Sequence, residues 1–198
     1  MKLLIATNNQ GKVAELARLL DIKGLELVMH AEVGLIDFDV EETGLTYFEN
    51  ASLKAVAFAK ASGLPSLADD SGLEVDGLDG EPGIYAKRYA GENVTDAERI
   101  AFLLKKLEER PGAARTAEFV AMLVLSDPSG KILAQEIGHC EGHIGFESRG
   151  TNGFGYDPIF VTQLNHRTMA ELTNSEKDAI SHRGNAARKM AQRLREIF

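Results

Sequence analysis

The chain of 198 residues carries 30 acidic and 22 basic side chains, a formal net charge of −8, with 44% hydrophobic and 26% charged content. That length suits one domain with a real core and that composition excludes disorder; the acidic balance speaks against a duplex-binding surface, whose affinity comes from Lys and Arg on phosphates. A lone cysteine, Cys140, excludes an intramolecular disulfide and a soft-ligand metal cluster, and the apolar run at 3–6 is too short for a signal-peptide core or a membrane span, so a cytoplasmic protein with no membrane and no nucleic-acid partner is expected.

Residues 2–6 read as a buried strand, and Val13, Leu16, Ala17, Leu19 and Leu20 recur at helical spacing over 12–20. A second strand is expected over 25–29. An acidic loop with Asp37, Asp39, Glu41 and Glu42 follows, then an Ala-rich helix from about Thr46 to Ala61. Past Pro65, residues 66–68 and 73–75 read as strands, with a turn at Asp69-Asp70-Ser71-Gly72 between them. Residues 76–91 are Gly-rich and irregular. Thr95-Asp96-Ala97-Glu98 matches a capping box and starts a helix to about Arg110. Residues 119–125 and 132–137 are strands joined by Asp127-Pro128-Ser129-Gly130, the pattern of an antiparallel hairpin, so the sheet should be mixed. A second Gly-rich loop spans 150–157, and 176–197 reads as a terminal helix with Arg and Lys toward its end. With no repeat, low-complexity tract or linker in view, residues 1–198 read as a single domain.

Three stretches could carry chemistry. Thr7-Asn8-Asn9-Gln10-Gly11-Lys12 joins a strand to a helix, where free N–H groups, the helix dipole and a lysine favour an anion; taken alone, an Asn-capped helix start is the plainer account. It is not a Walker A loop, since Val13 follows the lysine. Asp69 and Asp70 repel each other and should attract something positive. On an extended chain they point to opposite sides, and with Glu41 or Glu42 one of them would make an oxygen-rich site suited to Mg²⁺ and phosphates; a solvated turn is the plainer account. Gly153-Phe154-Gly155-Tyr156-Asp157 could offer aromatic rings to a planar ligand, or tuck them into the core. Lys177, His182 and Arg183 do not share one tight helical face. His139 and His143 read as strand residues because no third ligand of fitting spacing accompanies them.

In order along the chain, TNNQGK, EETGLTYFENASLKA, LADDSGLEVDGLDGEPGIYAKRYAG, GTNGFGYDPIF and AELTNSEKDAISHRG resemble the inosine triphosphate pyrophosphatase family, also called Ham1-like. The resemblance implies an elongated, two-lobed α/β fold with a central mixed β-sheet flanked by helices and an active site in the cleft between lobes. It implies Mg²⁺-dependent hydrolysis of ITP, dITP and XTP to the monophosphate and pyrophosphate, removal of deaminated purines from the nucleotide pool, and a homodimer. Carried onto this sequence, the pattern places Thr7, Asn9 and Lys12 on the phosphates within a substrate loop that includes Asn8, Gln10 and Gly11. Glu41 and Asp70 fall on the metal, with Glu42 adjacent and the choice between the two glutamates open. Asp70 is also the base for the attacking water, and Ser71 a substrate contact. Phe154 would stack on the base, Gly155, Tyr156 and Asp157 would shape its pocket, and Lys177, His182 and Arg183 would reach the base and its 6-oxo group. The family commonly has Gly where Asn8 and Asn152 stand; Asn tolerates positive φ and should preserve both loops. A Maf-like nucleotide pyrophosphatase of other base specificity and a non-catalytic nucleotide-binding regulator are the rival readings. The FGYDP and ISHRG blocks oppose the first, and the intact Lys12, Glu41 and Asp69-Asp70 set opposes the second.

Overall fold

In the computed structural model, which describes residues Met1–Phe198, β1 (Lys2–Ala6) pairs in parallel with both β2 (Glu26–Met29) and β3 (Ser66–Val75). Parallel neighbours need crossover connections, and α1 (Gln10–Leu19) and α2 (Tyr47–Ser62) supply them. The short β4 (Pro82–Gly83) runs antiparallel to β3. Next come α3 (Asp96–Glu108), β5 (Thr116–Ser126), β6 (Ile132–Ile144), β7 (Phe160–Thr162), α4 (Asn174–Ile180) and α5 (His182–Ile197). The sheet order is β2-β1-β3-β5-β6-β7, with β6 and β7 antiparallel. β5 and β6 are neighbours joined by residues 127–131 alone, so they too must run antiparallel. The expected mixed sheet and hairpin are therefore present.

Contacts group the chain into two compact units, each assembled from separated segments. The first comprises Met1–Asp70, Ala121–Gly138 and Arg183–Phe198. Period-two alternation divides its core between two sheet faces. Leu3, Ile5, Leu67 and Leu123 pack with Leu16 and Met190 on one side; Leu4, Ala6, Ala68 and Val124 pack with Ala55 and Phe58 on the other. Each fully buried Leu or Phe contributes about 1.5–3 kcal/mol. The second unit comprises Ser71–Val120 and His139–His182, with Leu73, Leu103, Phe119, Ile144, Tyr156 and Phe160 in its core. The Thr95/Glu98 capping box forms as the sequence indicates, and Ile100, Leu103 and Leu107 make the buried face of α3.

Two expectations are corrected. The turn expected at 69–72 does not exist, because β3 continues unbroken through Asp-Asp-Ser-Gly. Turn propensity is outweighed there by ion pairs on both faces of the strand, described below. The terminal helix is divided: Ser181, at φ −68° and ψ 157°, ends α4 in extended geometry directly before α5. Serine favours helix ends, where its hydroxyl competes for backbone groups, over helix interiors.

Candidate active site

The first unit gathers seven buried or half-buried charges around the middle of β3. Asn9 caps α1: its Oδ1 accepts from the Lys12 backbone N–H at 3.1 Å, while its own N–H donates to Thr7 Oγ1 at 3.2 Å. The amides of Gln10 and Gly11 in the first turn of α1 have no partner within the helix. Lys12 Nζ donates to Asp69 Oδ1 at 2.7 Å. The other oxygen of Asp69 accepts from Arg183 Nε at 2.6 Å, and Arg183 Nη1 donates to Glu15 Oε2 at 2.5 Å. An alternating row Glu15, Arg183, Asp69, Lys12 thus lies on the α1/α5 face of the sheet. Burial alone would raise the Asp69 carboxyl, but Arg183 and then Lys12 hold it well below the usual carboxylate range. Burial likewise works against the Arg183 guanidinium, which Asp69 and Glu15 overcome, pushing its pKa upward. For Lys12 burial prevails over Asp69 and its pKa is lowered.

Asp70 points to the opposite face, as alternation requires. Its Oδ1 accepts from Lys54 Nζ at 2.9 Å, and the same ammonium donates to Glu42 Oε1 at 2.7 Å and to the Asp69 carbonyl at 3.0 Å. Asp70 Oδ2 is buried without any hydrogen-bond partner. Burial pushes the Asp70 carboxyl up despite Lys54 and Lys12. Glu41 is exposed and makes no ion pair, so of the two adjacent glutamates it is Glu42 that the structure brings to Asp70, through Lys54. No three or more His, Cys, Asp or Glu side chains converge as a metal-holding group. Two carboxylates already sharing one cation, with a buried oxygen unused, nevertheless form a hard, all-oxygen donor set of the kind Mg²⁺ takes together with phosphate and water oxygens.

The second unit holds the other expected residues. Asp157 Oδ2 accepts from Lys177 Nζ at 2.5 Å and from the Phe154 N–H at 2.9 Å. The Lys177 ammonium sits 5.0 Å from the centroid of the half-buried Phe154 ring. Gly155 N–H donates to Asp96 Oδ2 at 2.6 Å, and Tyr156 Oη donates to the Ala86 carbonyl at 2.9 Å. His182 is buried with its ring stacked on Phe119, centroids 4.7 Å apart and planes 14° off parallel. Ser71, half-buried, directly follows Asp70 on β3.

Set against the sequence reading, Thr7, Asn9 and Lys12 cluster with Asp69, and Phe154, Asp157 and Lys177 cluster with one another. Asn8 and Gln10 are exposed. Arg183, expected at the base, has its guanidinium on Asp69 and Glu15. Neither Asn8 nor Asn152 has positive φ. Asn152 instead donates from Nδ2 to the Leu172 carbonyl at 2.9 Å, and neither loop draws on the tolerance of asparagine for positive φ. The sequence does not single out Lys54, Glu15, Asp96 or Phe119 as site residues. Tandem acids demand cations, the one signal for Lys54; Glu15 stands three residues after Lys12 on α1, a spacing that puts both on one face. Asp96 was hidden inside its capping motif.

Comparison with known proteins gives a consistent result. The Ham1 family model matches residues 3–193. A dITP/XTP pyrophosphatase of Exiguobacterium sibiricum is 50% identical over 198 residues, covering 98% of this chain and 97% of the relative. The Bacillus subtilis protein of the same name is 46% identical over 191 residues, 96% of each chain. Among solved structures, a HAM1 protein from Coxiella burnetii superposes with a TM-score of 0.90 at 42% identity, covering 99% of both chains. The Staphylococcus aureus Ham1 protein gives 0.87 at 42% identity over the whole of both.

Proposed function

We infer the function of this chain from the premise that it belongs to the Ham1 family. It hydrolyses non-standard purine nucleoside triphosphates to the nucleoside monophosphate and pyrophosphate. The observation that carries the chemistry is the buried, unpartnered Oδ2 of Asp70 beside two lysines. In our reading that oxygen takes a proton from the water that attacks the α-phosphorus. Lys12 and the first-turn amides of α1 hold phosphate oxygens. Asp69, pinned by Arg183, holds Lys12 in place and favours its charged form against burial. Asp70 and Glu42 would hold a Mg²⁺ ion, which when bound neutralises charge growing on the departing pyrophosphate.

In the second unit, Phe154 stacks on the purine while Lys177, held by Asp157, presents N–H donors. An ammonium can only donate and a 6-oxo group can only accept. The 6-amino group of adenine would set donor against donor, which is the selectivity expected of this pocket. We propose further that the chain works as a single domain, which the interleaved segments of its two units support. Exposed Leu45, Phe48 and Leu53 support a homodimer, and one buried thiol supports the cytoplasm. No helix is long and apolar enough to cross a membrane. Clearing deaminated purines from the nucleotide pool is the role that this activity suits.

Asp70→Asn tests the reading: pyrophosphate release from ITP should fall by at least ~100-fold, the usual contribution of a positioned base, with the circular dichroism spectrum unchanged. A folded variant turning over at near-normal rate would remove Asp70 from the chemistry.

A further inference from the structure

The side chain of Asp96 is surplus to its own helix. Thr95 Oγ1 accepts from the Glu98 N–H, and the Glu98 carboxylate accepts from the Thr95 N–H, so the start of α3 is already capped. The Asp96 carboxylate is instead turned onto a segment 59 positions away in the chain: its Oδ2 accepts from Gly155 N–H at 2.6 Å. Its Oδ1 is paired with Arg99. Arg99 Nη1 in turn donates to the carbonyls of Lys87 at 3.0 Å and Val94 at 2.9 Å. The carboxylate therefore sits in a bracket fastened to backbone and not on a freely swinging side chain.

What the bracket holds is the peptide that follows Phe154. The N–H before the Phe154 Cα, its own, ends on the Asp157 carboxylate, and the N–H after it, that of Gly155, ends on Asp96. With both flanking peptide planes tied to carboxylates, φ and ψ of Phe154 are both fixed. Glycines at 153 and 155, at φ +76° and +64°, would otherwise leave this loop many conformations to lose on binding. A Cβ at Gly155 would meet nothing within 4 Å, and the other hydrogen bond on this peptide, from the Asp157 N–H to the Phe154 carbonyl, is the longer one at 3.3 Å.

We propose that Asp96 is a positioning residue for base recognition: by holding the Phe154–Gly155 peptide it pre-sets the Phe154 ring, and its loss weakens purine binding without touching the phosphate chemistry. This rests on the stacking role given above to Phe154. The test is steady-state kinetics with ITP on the full chain, for Asp96→Ala, Asp96→Asn and Phe154→Ala, and for Asp96→Ala combined with Phe154→Ala, each checked for intact folding by thermal melt. Asp96→Ala should raise KM about tenfold, the lower end of the cost of losing a charge-assisted hydrogen bond, with kcat within about twofold. Asp96→Asn keeps an acceptor for the Gly155 N–H and should restore KM to within about threefold of the parent. In the Phe154→Ala background the Asp96→Ala effect should vanish. An unchanged KM, a loss confined to kcat, or an undiminished effect in that background would overturn the proposal. Were Phe154→Ala alone to leave KM unchanged, the stacking role would fail first, and the proposal with it.

Discussion

Arg183→Met removes the only guanidinium between two buried carboxylates. Arg183 is 1% exposed, Asp69 1% and Glu15 5%, so solvent cannot take over the screening. Removing one partner from a buried ion pair costs roughly 3–5 kcal/mol; at about 2–4 °C per kcal/mol for a chain of this size, the melting temperature should drop by roughly 6–20 °C at pH 7.5. The pH dependence supplies the sign. In the parent, the Asp69 carboxyl lies well below its usual value, so its stabilisation is present above the unfolded carboxyl pKa, about 3.9, and fades as pH falls toward the lower folded value. Without Arg183, burial weighs more heavily against the Asp69 charge, the folded pKa rises, and protonation relieves the buried carboxylate. The gap between parent and variant should therefore narrow when both are melted at pH 4.5. Circular dichroism melts at the two pH values decide the matter. A drop under about 2 °C at pH 7.5, or a gap that does not narrow, would refute the view that Arg183 is held by opposite charge.

Lys54→Met takes away the cation shared by Asp70 and Glu42, leaving two neighbouring carboxylates and a base pushed further up; ITP turnover at neutral pH should fall by at least ~100-fold, and a parental rate would show that the bridge is incidental. Cys140, whose thiol burial pushes up to about 12, should resist labelling by a thiol reagent at pH 8 in the native protein and react fully in denaturant; rapid native labelling would contradict its placement.

Much of the scaffold was legible because it is written in short-range pattern. The run Leu3 to Ala6, the Thr95/Glu98 box and the turn before Lys131 each declare an element through neighbours a few residues apart. Positions set by charges distant in sequence were not legible. The tandem aspartates look like a turn until Lys12, Lys54 and Arg183 arrive from α1, α2 and α5 to compensate them. For the same reason Arg183, which the family resemblance assigns to the base, has its Nε and Nη1 engaged by Asp69 and Glu15. The break at Ser181 is subtler, since neither Pro nor Gly announces it. Asp96 shows how a residue fully explained by a local motif can still serve something remote.

The most direct measurement is pyrophosphate release with Mg²⁺ across ITP, dITP, XTP and ATP at equal concentrations. Release should be rapid from the first three and slow from ATP, whose 6-amino group sets donor against donor. Comparable turnover of ATP and ITP would contradict this selectivity.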